Sequence, residues 1–133
     1  MYEPVWINPE DAAARGIRTG DIVQLFNERS GVLGGALVWE RSMPGAVSIE
    51  HGARVDAIKP GKIDRGGASD LIAPDGIISE HCPGQATSGF LVDVHKVTQA
   101  QMEEWRKLYP EAFNREYNKA SGRCFNAWVE GGK

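Results

Sequence analysis

Along the first hundred residues, short apolar runs alternate with glycine-rich turns, and several runs have the two-residue spacing of β-strands. β-Branched and aromatic residues predict a short strand near Val5, strands over 22–27, 32–40 and 90–97, and another ending near Glu50. Gly34 and Gly35 inside one run indicate a bulge or tight bend, as small closed barrels require. The pattern therefore predicts a mainly β chain whose strands form a barrel decorated by short helices.

A short helix is predicted directly after the first strand. Asn8 is suited to cap it, Pro9 to occupy its first position, and Asp11 to complete a capping box, while Gly16 ends it. Such a helix, of about two turns, is marginal alone. Its alanine face must therefore pack against the sheet, and we predict Ala13 and Leu25 as core positions.

The last part of the chain, residues 98–133, has a helical pattern. Thr98 and Gln101 form a second capping box, and the apolar residues that follow recur at helical spacing up to Pro110: Met102, Trp105, Leu108 and Tyr109. We expect a β-barrel over residues 1–97 and a helical C-terminal extension over residues 98–133 that packs on it.

Composition restricts the classes of function. A chain of 133 residues, 41% of them hydrophobic, is long enough for one compact domain. Its net charge of −3, without a basic stripe, argues against nucleic-acid binding. A long apolar stretch and a signal-peptide pattern are both lacking, so membrane insertion is not expected, and the compartment stays undetermined. For Cys82 and Cys124, two buried free thiols are a simpler interpretation than a disulfide bond.

The middle of the chain, residues 51–88, is predicted to be a long loop with little regular structure, and loops of this length tend to be functional. Its many glycines let the backbone approach a ligand closely, and turn amides can hold phosphate. Polar side chains are spread among them. The alternative, which the residues alone favour, is that these side chains only satisfy the loop backbone.

Catalytic patterns are weak. The candidate metal ligands, with neither CxxC nor HxxxH spacing, are His51, His81, Cys82, His95 and Cys124. A cysteine nucleophile at Cys82 has no supporting signature. We therefore expect a binding surface, and we predict that the isolated chain is inactive.

Several motifs follow one another in a fixed order over residues 4–97: INPEDAAARGIRTGD, NERSG, PG, HG, GGASDLIAPD and GQATSGFLVDV. This series resembles the C-terminal molybdopterin-dinucleotide-binding domain of the dimethyl sulfoxide reductase family of molybdenum and tungsten enzymes. The family fold is a double-psi β-barrel, in agreement with the strand pattern. The tail is similar to that of the pyrogallol hydroxytransferase branch.

The resemblance implies that this chain binds a bis(pyranopterin guanine dinucleotide) with molybdenum or tungsten in a larger enzyme that does redox or hydroxyl-transfer chemistry. We expect cofactor contacts from three clusters converging at one end of the barrel: His51, Gly52, Ser69, Asp70, Ser79, Gln85 and Ser88. Because the family's metal ligand belongs to another domain, neither cysteine should bind molybdenum.

The expected partners are the other domains of the parent enzyme and an iron-sulfur electron-transfer subunit. The chain starts at the VWINPEDA strand and resembles an excised fragment, so it should bind the cofactor poorly alone. The alternative function is a stand-alone barrel subunit or assembly module without its own catalysis.

Overall fold

The computed structural model describes residues 2–85, 89–114, 117–118 and 123–124. The strands are β1 (Pro4–Ile7), β2 (Ile22–Phe26), β3 (Gly31–Val38), β4 (Val47–Ile49), β5 (Ala57–Lys59), β6 (Ile63–Asp64), β7 (Ile77–Ser79), β8 (Cys82–Gln85), β9 (Asp93–Lys96), β10 (Tyr117–Asn118) and β11 (Arg123–Cys124). The helices are α1 (Pro9–Ala14), α2 (Gln99–Leu108) and α3 (Pro110–Phe113), and Ser69–Leu71 form a single 3-10 turn.

Within the described residues, seven strands form one sheet around the long strand β3. The order is β4-β1-β3-β2-β9, and β6 pairs with both β3 and β5. One side of β3 carries β6 at its start and β1 further along, both parallel to it, while β2 runs antiparallel on the other side. The protein is thus mostly β, with a curled sheet that forms half a barrel and a few short helices.

Gly34 lies where β1 and β3 come closest. A Cβ at this position would overlap Val5 Cγ2 and approach Glu3 O to 3.0 Å, so only glycine fits. The β2–β3 ladder runs through Gly34 and Gly35 without a register shift. The predicted bulge is therefore wrong, and the glycine permits close packing of β1 instead.

Two apolar clusters pack on opposite faces of the sheet. The first includes Val5, Val23 and Leu25 and reaches α1 through Ala12 and Ile17. Ala12 is buried and Ala13 is exposed, so the predicted core position on α1 is wrong by one residue. The helix turns Ala12 toward the sheet because Asn8 fixes where its first turn begins.

The second cluster lies beneath α2 and α3. It contains Leu33, Ile58, Val97 and Met102, and its partly buried neighbours include Trp105, Tyr109 and Phe113. α2 begins with the predicted capping box, in which Thr98 Oγ1 accepts the Gln101 N–H and Gln101 Oε1 accepts the Thr98 N–H.

The middle segment is more regular than expected. Short strands β5 and β6 pair with each other, as do β7 and β8, and each ladder contains a register shift. Conversely, β9 begins at Asp93, whereas the sequence predicted a strand from residue 90. Phe90 and Val92 instead pack against the first apolar cluster, and Asn27 Nδ2 donates to Ile72 O and, more weakly, to Leu91 O.

Within the part of the chain that the structure describes, every helix is too short or too polar to cross a membrane.

Candidate functional site

One wall of the main cleft is built by α1 and the turn before β4. Asn8 Oδ1 accepts the Glu10 N–H at 2.9 Å, and Asn8 Nδ2 donates to Ser42 O at 2.8 Å. Asp11 Oδ2 accepts the Gly45 N–H at 2.6 Å, across to the β4 turn. The capping box predicted for α1 is therefore wrong: Asn8 alone caps the helix, and Asp11 holds the turn.

Gly45 requires glycine for a backbone reason, since its φ of +77° lies in the left-handed region. This conformation directs its N–H to Asp11 and leads the chain directly into β4. At the C-terminal end of α1, the Arg15 guanidinium lies 3.9 Å from the Asp93 carboxylate at the start of β9. The α1 wall thus spans the two edge strands of the sheet.

The opposite wall is the 3-10 turn that carries Ser69, and a buried carboxylate holds it. Asp64, 1% exposed, accepts the Asp56 N–H at 2.6 Å through Oδ1. Its Oδ2 accepts the Gly67 and Ala68 N–H groups at 2.9 and 3.1 Å. Burial raises the pKa of Asp64, and the backbone donors partly offset that shift by stabilising the anion.

Arg65 connects this turn to the C-terminal helices. Its Nε donates to Asp56 Oδ2 at 2.8 Å, and its Nη2 donates to Ala112 O at 2.6 Å. The guanidinium carbon also lies 5.0 Å from the centre of the Phe113 ring, within cation–π range. Because Asp56 and Asp64 are bonded through the Asp56 N–H, α3 is linked to the loop that positions Ser69.

The rim of the cleft brings two predicted clusters together. His51 Nδ1 lies 3.8 Å from Asp70 Oδ1, with both side chains more than half exposed. Gly52 follows His51 and has a φ of +90°. The segment after β4 and the 3-10 turn, distant in sequence, thus meet at one end of the sheet.

The cleft between these walls has a volume of about 490 Å³. Its floor is apolar and includes Ile7, Leu25, Ile72 and Val94, all members of the first core cluster. Its polar groups are few and lie at the walls: Asp11, Arg15, Ser48, His51 and Ser69. An apolar pocket of this size with a few convergent polar groups has the character of a small-molecule or cofactor site.

The cleft opens between β4 and β9, the two ends of the sheet order. Val47, Ser48 and Ile49 of β4 line one side and Val94 of β9 the other. Within the described residues these two strands do not pair with each other. The cleft therefore lies between the two end strands of the curled sheet.

The predicted site residues fall into three groups. His51 and Ser69 line the cleft, and Gly52 and Asp70 adjoin them. Ser79 lies exposed in β7, outside the described lining of the cleft. The backbone of Gln85 lies in β8, and Ser88 is outside the described residues. The roles of all seven stay predictions.

Sequence reasoning missed two important residues. Nothing in the local sequence around Arg15 indicates that this residue lines a cleft. Asp64 carries no motif, because its three partners are backbone N–H groups: that of Asp56, which the β5–β6 pairing brings near, and those of Gly67 and Ala68, which follow it closely in sequence. Among the described residues, no three or more His, Cys, Asp or Glu side chains are grouped so that they could hold a metal ion.

Comparison with protein families gives a match over residues 1–82 to the model described as "Molydopterin dinucleotide binding domain". The chain belongs to this family. Since the match covers more than half of the chain, it confirms the resemblance seen in the ordered motifs.

Three relatives are similar over 71–72% of this chain. Trimethylamine-N-oxide reductase of Salmonella typhi is 41% identical over 99 residues, and trimethylamine-N-oxide reductase 1 of Escherichia coli K12 is 44% identical over 99 residues. The dimethyl sulfoxide/trimethylamine N-oxide reductase of Cereibacter sphaeroides is 40% identical over 98 residues, 71% of the chain. The chain spans only 11–12% of the length of these relatives.

These comparisons confirm the expected molybdopterin guanine dinucleotide with molybdenum in a parent enzyme, and the role of this domain in binding it. The similarity to the pyrogallol hydroxytransferase branch stays a prediction.

Proposed function

We propose that the cleft between β4 and β9 holds part of the molybdopterin dinucleotide. The observation that carries this proposal is the meeting of His51 and Ser69 at the wall of one apolar cleft of about 490 Å³. That volume lies within the range of about 300–1,000 Å³ usual for ligand pockets. An apolar floor suits a fused ring system, and polar walls suit the groups attached to it.

The residues of the cleft fit such a ligand. Arg15, His51 and Ser69 can donate hydrogen bonds to phosphate oxygens, and guanidinium groups pair with phosphates in a bidentate way. Asp70 would repel a phosphate, so we assign it to the N–H groups of the pterin or guanine edge. The full proposed contact set is the one named from sequence, with Arg15 added: Arg15, His51, Gly52, Ser69, Asp70, Ser79, Gln85 and Ser88.

When bound, the cofactor supplies the metal at which redox or oxygen-transfer chemistry takes place. The residues of this chain would bind and orient its pterin and phosphate groups and exclude water from the apolar floor. Given the names of the three relatives, we propose that the parent enzyme reduces an N-oxide or sulfoxide.

The edges of the sheet suggest what completes the site. We propose that the half-barrel belongs to a double-psi β-barrel, residues 1–97, with residues 98–133 as a C-terminal extension that begins with α2 and α3 and packs on it. β4 and β9 each have one edge that pairs with no strand among the described residues, which supports a partner segment from another part of the parent enzyme. An iron-sulfur electron-transfer subunit as a further partner stays a prediction.

The test uses the parent enzyme, with Ser69→Ala and His51→Ala as separate variants. Each should lower the molybdenum and pterin content of the purified enzyme, because a hydrogen bond to a charged group is worth about 1.5–3 kcal/mol, or roughly tenfold or more in affinity. The matched control is Ser42→Ala, a serine outside the described cleft lining. Normal cofactor content in both cleft variants would remove the cleft from the binding site.

A further inference from the structure

A second crevice, of about 210 Å³, lies on the opposite face of the sheet from the cleft. Gln24 and Phe26 line it, and they alternate along β2 with Val23 and Leu25, which are buried in the first core cluster. His95 pairs with Gln24 across the β2–β9 ladder, and its ring lies 5.1 Å from that of Phe26. The sheet therefore separates this crevice from the proposed cofactor site.

Two buried polar atoms of the crevice lack a partner. Among the described residues, Ser30 Oγ and His95 Nε2 are the buried side-chain nitrogen and oxygen atoms without a hydrogen bond. Both residues line the same crevice, and Ser30 is only 7% exposed. Since buried polar groups are nearly always hydrogen-bonded, their presence together indicates a bound species at this place.

The backbone of the turn that carries Ser30 is held by several hydrogen bonds. Asn27 Oδ1 accepts the Arg29 N–H at 3.0 Å and, more weakly, the Ser30 N–H at 3.4 Å. The Gly31 N–H donates to Lys62 O at 2.9 Å, and a Cβ on Gly31 would overlap Gln24 Nε2. The backbone is thus held in place, and the Ser30 hydroxyl takes no part in the hydrogen bonds of the turn.

The charges around the crevice favour an anion. Lys62 and Arg29 lie at its edge, and the one carboxylate in its described lining, Glu28, already pairs with Arg29 at 3.0 Å. No carboxylate lies within ion-pair distance of Lys62 in the described ranges. The hydroxyl, the imidazole and the ammonium can all donate hydrogen bonds.

We propose that this crevice binds a small oxyanion, a phosphate group or a carboxylate, through Ser30, His95 and Lys62. The crevice volume of about 210 Å³ is several times the roughly 30 Å³ that one water molecule occupies in the liquid, so the crevice has room for a phosphate or carboxylate group. The site lies outside the proposed cofactor cleft and does not depend on it.

The test is a titration of inorganic phosphate into the ¹⁵N-labelled full chain at constant ionic strength and pH, with sodium acetate in a parallel series. The imidazole resonances of His95 and the amide of Ser30 should shift and saturate. Saturation by phosphate alone identifies a phosphate group as the ligand, and saturation by acetate identifies a carboxylate. If the shifts grow linearly with concentration and neither phosphate nor acetate saturates them, the crevice holds only ordered water and the proposal is overturned.

Two variants decide whether the named residues form the site. Ser30→Ala and Lys62→Gln should each weaken the saturating ligand about tenfold, and Lys107→Gln, which removes an exposed lysine at the end of α2, should not. Circular dichroism checks that each variant is folded. Unchanged affinity in both crevice variants, or an equal loss in Lys107→Gln, would show non-specific ion binding and refute the site.

Discussion

The two faces of the central sheet are covered to different extents. On one face, the cluster of Val23, Leu25 and Val94 ends at an open cleft. On the other, Leu33 and its neighbours are covered by α2 and α3, which Arg65 connects to the turn that carries Ser69. The covered face provides stability, and the open face leaves apolar surface for a ligand.

The largest expected effect comes from placing a charge under the cleft. Leu25→Asp would bury an unpaired carboxylate at a position with no exposed surface, so we expect the loss of cooperative unfolding in urea, a cost above about 4 kcal/mol. The control is Ala13→Asp on the exposed side of α1, which should change stability by less than about 1 kcal/mol. A cooperative transition in Leu25→Asp would mean that the cleft floor admits water.

The difference between the faces can be measured with two matched truncations. Leu33→Ala and Leu25→Ala each remove a fully buried leucine, and such changes cost about 2–5 kcal/mol. We expect the loss to be greater for Leu33, because the space left at Leu25 lies just beneath the cleft and can open to solvent, whereas Leu33 lies under α2 and α3. Urea unfolding measures both. An equal loss would indicate that the cleft closes over Leu25 in solution.

Asp64→Asn tests the buried carboxylate that joins the two faces. Both oxygens of Asp64 accept N–H groups, so an amide must direct its NH₂ at one set of donors, and we expect a loss of about 1–3 kcal/mol in the free energy of unfolding. Asp75→Asn, an exposed change of equal charge, is the control.

The pH dependence of this loss has a definite sign. Because burial raises the pKa of Asp64 in the folded state, its stabilising contribution is fully present below the ordinary value of 3.8 and declines as the pH rises through the folded-state pKa. The deficit of Asp64→Asn should therefore be greater near about pH 4 than near about pH 7. A deficit that grows with pH would mean that the backbone donors outweigh burial.

The smallest expected effect is at Arg65, which donates hydrogen bonds both to Asp56 and to Ala112 of α3. Arg65→Lys keeps the charge and loses the forked geometry that contacts Asp56 and Ala112 together, so we expect a loss of about 1–2 kcal/mol. In a background in which the other three tryptophans are replaced by phenylalanine, Trp105 fluorescence should shift to the red as α2 and α3 loosen. Arg18→Lys, on the exposed surface, is the control. An unchanged Trp105 spectrum would show that apolar packing alone holds the helices.

Much of the fold follows from local signals. Asn8 and Thr98 cap the helices as predicted, and the alternating residues of β2 and β3 form the predicted strands. β5 to β8 were missed because strands of two to four residues are too short to show a period, and their pairing depends on distant backbone.

The candidate site was only partly accessible to sequence reasoning. The glycine-rich loop and the family motifs predicted His51 and Ser69 as site residues, and the fold brings both of them to one cleft. Arg15 lies at the same cleft because α1 connects β1 to β2 across one end of the sheet. Asp64 accepts hydrogen bonds from backbone N–H groups, which no side-chain pattern in the sequence reveals. When the role of a residue depends on contacts between segments that are distant in sequence, the spacing of residues along the chain does not predict that role.

The pairing of β2 with β9 also sets the order in which the chain can fold. Phe26 pairs with Asp93, so the outer edge of β2 has no partner until residues 27–92 have been synthesised. β1, made first, must likewise wait for β3 before its parallel ladder can form. Pairing across such sequence distances slows folding, and unpaired edges favour association between chains in the meantime. Recovery of this protein should therefore improve when synthesis is slow relative to folding, at low temperature and low expression.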